Sequence, residues 1–302
     1  MKKLRIGFLL PRYSRHSKSY MPAVVQALEE ADVHVDVIHP VERFVDLSAL
    51  RVEHDLYVLR KTSGFALSLA GALHEMGAPI INPYPVSAAL HDKIIAVRIL
   101  ESAGVPTPAT FVASEPARLA PLLDGGPLII KPYQGAGGHH VRIVRSRAQL
   151  DEVPHERREP VFAQRYHPPD GRDRKIYVIG DALFAIKKIF PRRTEEEKLG
   201  EPFTPSADLR DIVLRCGRAF GIDLYGVDVI ESAGKPYVVD MCSIPGFKGV
   251  PDAPRRLAQY FCTAAARAAR GELSPPADPS WDLLRRVSTH ERTSIAREFP
   301  SA

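Results

Sequence analysis

Two aspartates placed where charges are least expected constrain this chain most. Residues 224–230 and 236–241 read as apolar strands separated by a turn over 231–235. Asp228 lies inside Tyr225-Gly226-Val227-Asp228-Val229-Ile230, and Asp240 inside Tyr237-Val238-Val239-Asp240-Met241-Cys242. A carboxylate within an apolar strand requires compensation. Two carboxylates facing one point call for a cation, and a magnesium ion shared with phosphate groups would supply it. The alternative is a structural ion pair with a lysine or arginine.

Upstream, the pattern is one of strands alternating with helices. Apolar runs at residues 4–10, 35–39 and 56–59 read as strands, and residues 20–31 and 65–76 as helices. Pro79-Ile80-Ile81-Asn82-Pro83 then gives a short buried strand. This order implies an α/β lobe with a parallel sheet, ending near Pro85. Residues 87–103 have the spacing of one helix, with Gly104 as its cap.

Strand-like segments follow at residues 110–112 and 128–130, and residues 141–144 read as one half of a hairpin, so the intervening glycines join two strands. Further strands are expected at 161–163, 176–179 and 183–186. A polar stretch over 192–207 precedes helices at 209–220 and 254–270. Residues 275–302 are proline-rich and then charged, with Trp281, Leu283 and Leu284 as anchors of a loosely docked tail.

Composition narrows the function classes. With 302 residues and 45% hydrophobic content, the chain can build cores for two or three lobes. It has no apolar run of about eighteen residues, so no membrane partner is expected. Cys216, Cys242 and Cys262 are too scattered for a disulfide framework or a CxxC zinc site, as expected of reduced thiols in a cytoplasmic protein. The net charge of +5 suits an anionic ligand, but the basic residues are interleaved with acidic ones. Nucleic acid as a partner is not supported, because no RNA-binding aromatic signature, zinc-finger spacing or sustained basic helix occurs.

A second chemical feature is Leu128-Ile129-Ile130-Lys131 running into Pro132-Tyr133-Gln134-Gly135-Ala136-Gly137-Gly138. A lysine at a strand end can hold phosphate oxygens while a glycine loop covers them with backbone N–H groups. The lysine precedes the glycines and no helix opens after them, which excludes the GxxxxGK[ST] phosphate loop and the GxGxxG dinucleotide turn. Directly after Asp240, residues 243–251 form a Pro/Gly turn able to hold the end of the acidic strand beside a ligand. His139-His140 read as solvent-facing, and Cys242 has no histidine partner nearby in sequence to make it a nucleophile.

Taken in order, Asp92-Lys93, Ile130-Lys131-Pro132 through Gly138, Gln164-Arg165-Tyr166, residues 173–181, Gly226-Val227-Asp228 and Val239-Asp240 through Gly246 resemble the ATP-grasp superfamily. Within it, they look like the RimK-like carboxylate–amine ligases, with a second similarity to inositol-phosphate kinases of the same fold. The resemblance spans about residues 4–270. It implies a pre-ATP-grasp lobe (1–85), a central ATP-grasp subdomain carrying the glycine lid (86–165), a C-terminal subdomain carrying the metal site (166–272) and a tail (273–302).

The resemblance further implies that Lys93 and Lys131 contact ATP phosphates, with Gln134, Gly135, Gly137 and Gly138 in the lid. Gln164, Arg165 and Tyr166 would line the adenine pocket. Lys175, Lys187 and Arg192 would serve acceptor or phosphate, and Asp228, Asp240 and Cys242 occupy the metal-ligand positions for Mg2+ or Mn2+. The family usually has asparagine where this chain has Cys242, and a neutral thiol is a poor ligand for a hard cation.

The implied reaction joins small-molecule or peptide carboxylate and amine substrates, or a carboxylate and a thiol, through an acyl phosphate. Phosphorylation of a polyol or inositol phosphate is the enzymatic alternative, favoured by the position of Lys187. A noncatalytic nucleotide-binding regulator is the third class, motivated by Cys242. A homo-oligomer is compatible with all three.

Overall fold

The computed structural model describes residues 3–14, 16–42, 44–60, 64–135, 140–156, 158–189 and 194–273. Strands β1 (Arg5–Leu9), β2 (His34–Ile38), β3 (Leu56–Leu59) and β4 (Ile80–Ile81) pair in parallel in the order β2-β1-β3-β4, as the alternation of strand and helix requires. Helices α1 (Met21–Glu30) and α2 (Phe65–Glu75) supply the crossovers. Period-two alternation sorts the strand residues between two cores. Ile6, Phe8, Leu56 and Val58 pack with Val24 and Leu28 of α1 and with Leu257 and Phe261 of the last helix. Leu9, Tyr57 and Leu59 pack with Leu69 and Leu73 of α2.

The expected single helix over 87–103 is two, α3 (Tyr84–His91) and α4 (Lys93–Ser102). Asp92 breaks it. Its backbone is extended (φ −100°, ψ 109°) and its carboxylate accepts from the N–H groups of Ile94 (2.9 Å) and Ile95 (3.3 Å), capping α4. Asp92 also makes a β-bridge with Gln134, and the Lys93 N–H donates to Tyr133 O at 2.8 Å. The start of α4 is thereby fixed against the glycine loop.

The central lobe has an antiparallel sheet ordered β5-β8-β6-β7, from β5 (Thr110–Ala113), β6 (Leu128–Lys131), β7 (Arg142–Val144) and β8 (Val161–Arg165). Helix α5 (Arg147–Asp151), capped by Ser146, and a 3-10 helix at Pro116–Gly125 cover it. Neither was expected, because the first is short and the second contains Pro121.

The third sheet is antiparallel, ordered β11-β10-β9-β12-β13, from β9 (Asp173–Ile179), β10 (Ala182–Lys188), β11 (Glu201–Pro202), β12 (Leu224–Ser232) and β13 (Lys235–Cys242). Within the expected polar stretch, α6 (Glu195–Leu199) forms through a capping box between Thr194 and Glu197. Helix α7 (Ala207–Phe220) starts at a Ser206 cap and stops at Gly221, whose φ of 63° is the left-handed stop that glycine supplies. It buries Leu209, Ile212, Val213, Cys216 and Phe220 against Ile176, Val178, Val227 and Val229.

Helix α8 (Ala253–Ala269) crosses back to the first lobe and packs on α1. The junction is also polar: Asn82 Nδ2 donates to Leu224 O (2.7 Å), Ser243 O (3.1 Å) and Ser243 Oγ (3.1 Å), and Ser87 Oγ lies 3.3 Å from Ser243 Oγ. All three side chains are buried, so these contacts replace solvent and fix the turn after β13. The expected tail over 275–302 lies outside the described residues.

Candidate active site

Register alone brings the charged residues of the third sheet together. Lys175 on β9 lies opposite Asp228 on β12, which lies opposite Asp240 on β13. Two residues along, Tyr177, Gly226 and Cys242 form the next row on that face. Directly paired residues share a face, so these six positions, five of them with side chains, share the face turned away from α7. A β-bulge follows Asp228, where the β12–β13 register shifts. Pro245 of the succeeding turn sits so close over Gly226 that a Cβ there would lie 2.9 Å from its Cγ.

The aspartates are not alone. Lys175 Nζ lies 2.7 Å from Asp228 Oδ2 and 3.7 Å from Cys242 Sγ, and it is 5.8 Å from the centre of the Tyr177 ring. Among the described residues, buried Asp228 Oδ1 has no hydrogen-bond partner, and Asp240 Oδ1 accepts from the Met241 N–H at 3.1 Å. Among the described residues, no His, Cys, Asp or Glu group of three or more closes into a metal cage. The lysine ion pair weighed against a metal in the sequence is therefore real for one oxygen of Asp228, while the other oxygen remains available.

From the central lobe, Lys131 at the end of β6 reaches across to the third sheet. Its Nζ donates to Gln164 Oε1 (2.9 Å) and to Val239 O (3.2 Å), next to Asp240. Gln164 is fully buried and donates in turn to Thr110 Oγ1 at 3.1 Å. Lys93, the first residue of α4, donates to Gly135 O at 2.6 Å, and the φ of Gly135 is 102°, a conformation that glycine accommodates.

The electrostatics follow from burial among facing charges. Burial raises the Asp240 pKa, Lys93 opposes that shift, and Asp228 adds to it. Burial lowers the Lys131 pKa against the attraction of Asp240. For Lys175, burial works against the ammonium, but the Asp228 carboxylate prevails and its pKa lies above the ordinary value. Burial raises the Cys242 thiol pKa, opposed by Lys175, so the sulfur is neutral at pH 7. The cluster is a patch of ammonium groups and carboxylates in a medium where charge interacts strongly.

Other residues singled out in the sequence have distinct positions. The Arg165 guanidinium turns into the central lobe, bonded to the carbonyls of Gly126 and Leu122, while its own N–H and that of Tyr166 donate to Ala109 O and Pro127 O. Lys187 lies opposite Arg174 in the register and 5.4 Å from the centre of the Phe203 ring. Its neighbour Lys188 shares the face of Lys175; it is 2% exposed and donates to Tyr177 Oη (2.8 Å) and Lys248 O (3.0 Å). Gly137, Gly138, Arg192 and His139 fall outside the described residues.

Sequence reasoning did not single out Lys188, Tyr177, Asn82, Thr110 or Arg60. For Tyr177, the period of two from Lys175 was an available signal. Arg60 follows β3 at its carboxyl end, carries a buried Nε without a hydrogen-bond partner among the described residues, and exerts its charge on Cys242. A separate cavity of about 1190 Å3 lies between β4, the β9–β10 turn and the ends of α7 and α8. None of Lys93, Lys131, Asp228 or Asp240 lines it, so it is distinct from the charged cluster.

Comparisons with known proteins identify the family. The RimK-like ATP-grasp domain matches residues 90–256. A probable alpha-L-glutamate ligase of Shewanella loihica is 24% identical over 277 residues, covering 83% of this chain and 91% of its own. A ribosomal protein bS6–L-glutamate ligase of Escherichia fergusonii is 24% identical, covering 75% and 81% respectively. A RimK domain ATP-grasp protein of Sphaerobacter thermophilus superimposes with a TM-score of 0.70 at 18% identity, covering 87% of this chain and 99% of its own. The chain belongs to the RimK-like ATP-grasp family and is an ATP-grasp ligase. The phosphorylation alternative finds no support among these relatives.

Proposed function

We propose that the cluster around Lys131 and Asp240 activates a substrate carboxylate with ATP and passes the acyl group to an amine of a small molecule or a peptide. The observation that carries this reading is the convergence of Lys93, Lys131 and Lys175 on the Asp228–Asp240 pair, from two lobes and three separate elements. Relatives named for glutamate transfer to a ribosomal protein or to LysW support amino-acid and peptide substrates.

Asp228 Oδ1 and Asp240 fit a hard cation, because one oxygen is buried without a partner among the described residues and the other carboxylate bonds to its own strand. They would hold Mg2+, or Mn2+ in its place, which would neutralise phosphate charge. Lys131 and Lys93 would bind phosphate oxygens, and the segment from Gln134 and Gly135 would exclude water above them. A carboxylate oxygen of the substrate attacks the γ-phosphorus, the bond to the β-phosphate oxygen breaks, and ADP leaves with that electron pair. The amine nitrogen then attacks the acyl carbon. Inorganic phosphate departs and the nitrogen loses its proton, giving the amide. The chain's contribution is positioning and charge balance, with Lys175 and Lys188 on the sheet face that also carries Asp228 and Asp240.

Hydroxylamine in place of the amine tests the reading. A panel of amino acids and acidic peptides with ATP should yield ADP and an acyl hydroxamate in equal amounts for the true carboxylate. ADP accompanied by a phosphorylated hydroxyl compound, and no hydroxamate, would contradict it.

A further inference from the structure

One ammonium group in the cluster stands where a ligand for a second cation would act. Lys175 is 7% exposed, and its Nζ sits between Asp228 Oδ2 (2.7 Å) and Cys242 Sγ (3.7 Å), the side of the carboxylate pair toward the third ligand position. The register fixes this arrangement, since Lys175 is directly opposite Asp228 and Cys242 is one row away. Tyr177 lies along the lysine, with Phe247 against Tyr177 at 5.5 Å between ring centres. Cys242 offers a soft donor that a hard divalent ion takes poorly, and its Sγ is already directed at Gly226 O, 3.7 Å away. What remains for a divalent ion is the other side of the pair, Asp228 Oδ1 and Asp240.

We propose that Lys175 is a built-in monovalent cation of the metal site, holding Asp228 Oδ2 permanently, so that the nucleotide-loaded protein takes one divalent ion and not two. The inference rests on the ligase reading for the presence of nucleotide. The competing arrangement is one in which Lys175 leaves Asp228 when nucleotide binds and a second ion replaces it. In that case the thiol, not the lysine, would limit ion binding.

The two are separated by counting bound Mn2+ by electron paramagnetic resonance, with the full chain saturated with the non-hydrolysable analogue AMP-PNP and bound nucleotide measured in the same samples. Wild type should hold one Mn2+ per chain. Cys242→Asn, which supplies a hard oxygen donor but keeps Lys175, should still hold one, whereas Lys175→Met/Cys242→Asn should hold two. Two ions in wild type or in Cys242→Asn would overturn the inference, as would one ion in a folded double variant. If the double variant does not fold, Cys242→Asn alone decides. Nucleotide retained without Mn2+ would overturn this inference alone, and no nucleotide retained would overturn the ligase reading with it.

Discussion

The five-stranded sheet presents two faces made from the same strands, and they solve opposite problems. Toward α7 it presents Ile176, Val178, Val227 and Val229, which are at most 2% exposed and pack with Val213, Cys216 and Phe220. On the opposite face it presents Lys175, Tyr177, Asp228, Asp240 and Cys242, where every charge is set against another. The first face stabilises by removing apolar area from water, in any arrangement that fills the volume. The second works only in one register, since slipping by one residue would turn Asp228 into the α7 core. Packing therefore holds the register that the chemistry needs, and the two faces should respond differently to substitution.

The largest effect is expected on the charged side. Lys131→Met should lower kcat by about 10²–10³-fold, the scale for removing one preorganised donor to a transferring group, with the midpoint of urea unfolding little changed. On the α7 side, Ile176→Ala should lower stability by about 2–5 kcal/mol in urea titration, while the KM for ATP of the folded fraction stays near wild type. A loss of stability for Lys131→Met as large as that for Ile176→Ala would break the distinction.

Lys187 and Lys188 sharpen it, being neighbours on opposite faces. Lys188→Met should lower kcat/KM by about 10–100-fold more than Lys187→Met, the range of a lost hydrogen bond from a charged group. The reverse order, read from steady-state kinetics, would show that the face assignment fails for catalysis. Ser206→Ala, removing the cap of α7, should cost about 1 kcal/mol in the same unfolding experiment and leave kcat within error.

The smallest effect is in pH dependence. Asp240 has a folded pKa raised above its ordinary 3.8, so the folded state binds its proton more tightly than the unfolded state does. That contribution to stability is present at pH below 3.8 and is lost as pH rises through the raised folded pKa. Without divalent ions, the difference in Tm between wild type and Asp240→Asn should therefore narrow on acidification and widen toward neutrality. Mg2+ with AMP-PNP, competing with the proton, should reduce the difference at neutral pH. A Tm difference independent of pH would contradict the assignment.

These two faces also mark how far the sequence could be read. Asp228 and Asp240 were legible because charges interrupted apolar strands, and α7 because its apolar spacing ended at Gly221. Lys175 as the partner of Asp228 was not, because β9 and β12 are some fifty residues apart and only pairing sets them opposite each other. The choice between Lys187 and Lys188 likewise depends on register, which adjacent lysines leave open. The break at Asp92 was hidden because the apolar spacing continues on both sides of it, yet the cap it provides is what brings Lys93 to Gly135. Asn82 looked like part of a proline-bounded strand end, and its role appears only when Leu224 and Ser243 meet it across the lobe junction.

The central claim, that a carboxylate is activated as an acyl phosphate at this cluster, is tested most directly by isotope transfer. With the substrate carboxylate labelled with 18O, turnover to the amide should place one 18O atom in inorganic phosphate, detectable by mass or by 31P resonance shift. Label appearing in AMP, or remaining wholly outside the phosphate product while ATP is consumed, would contradict the account.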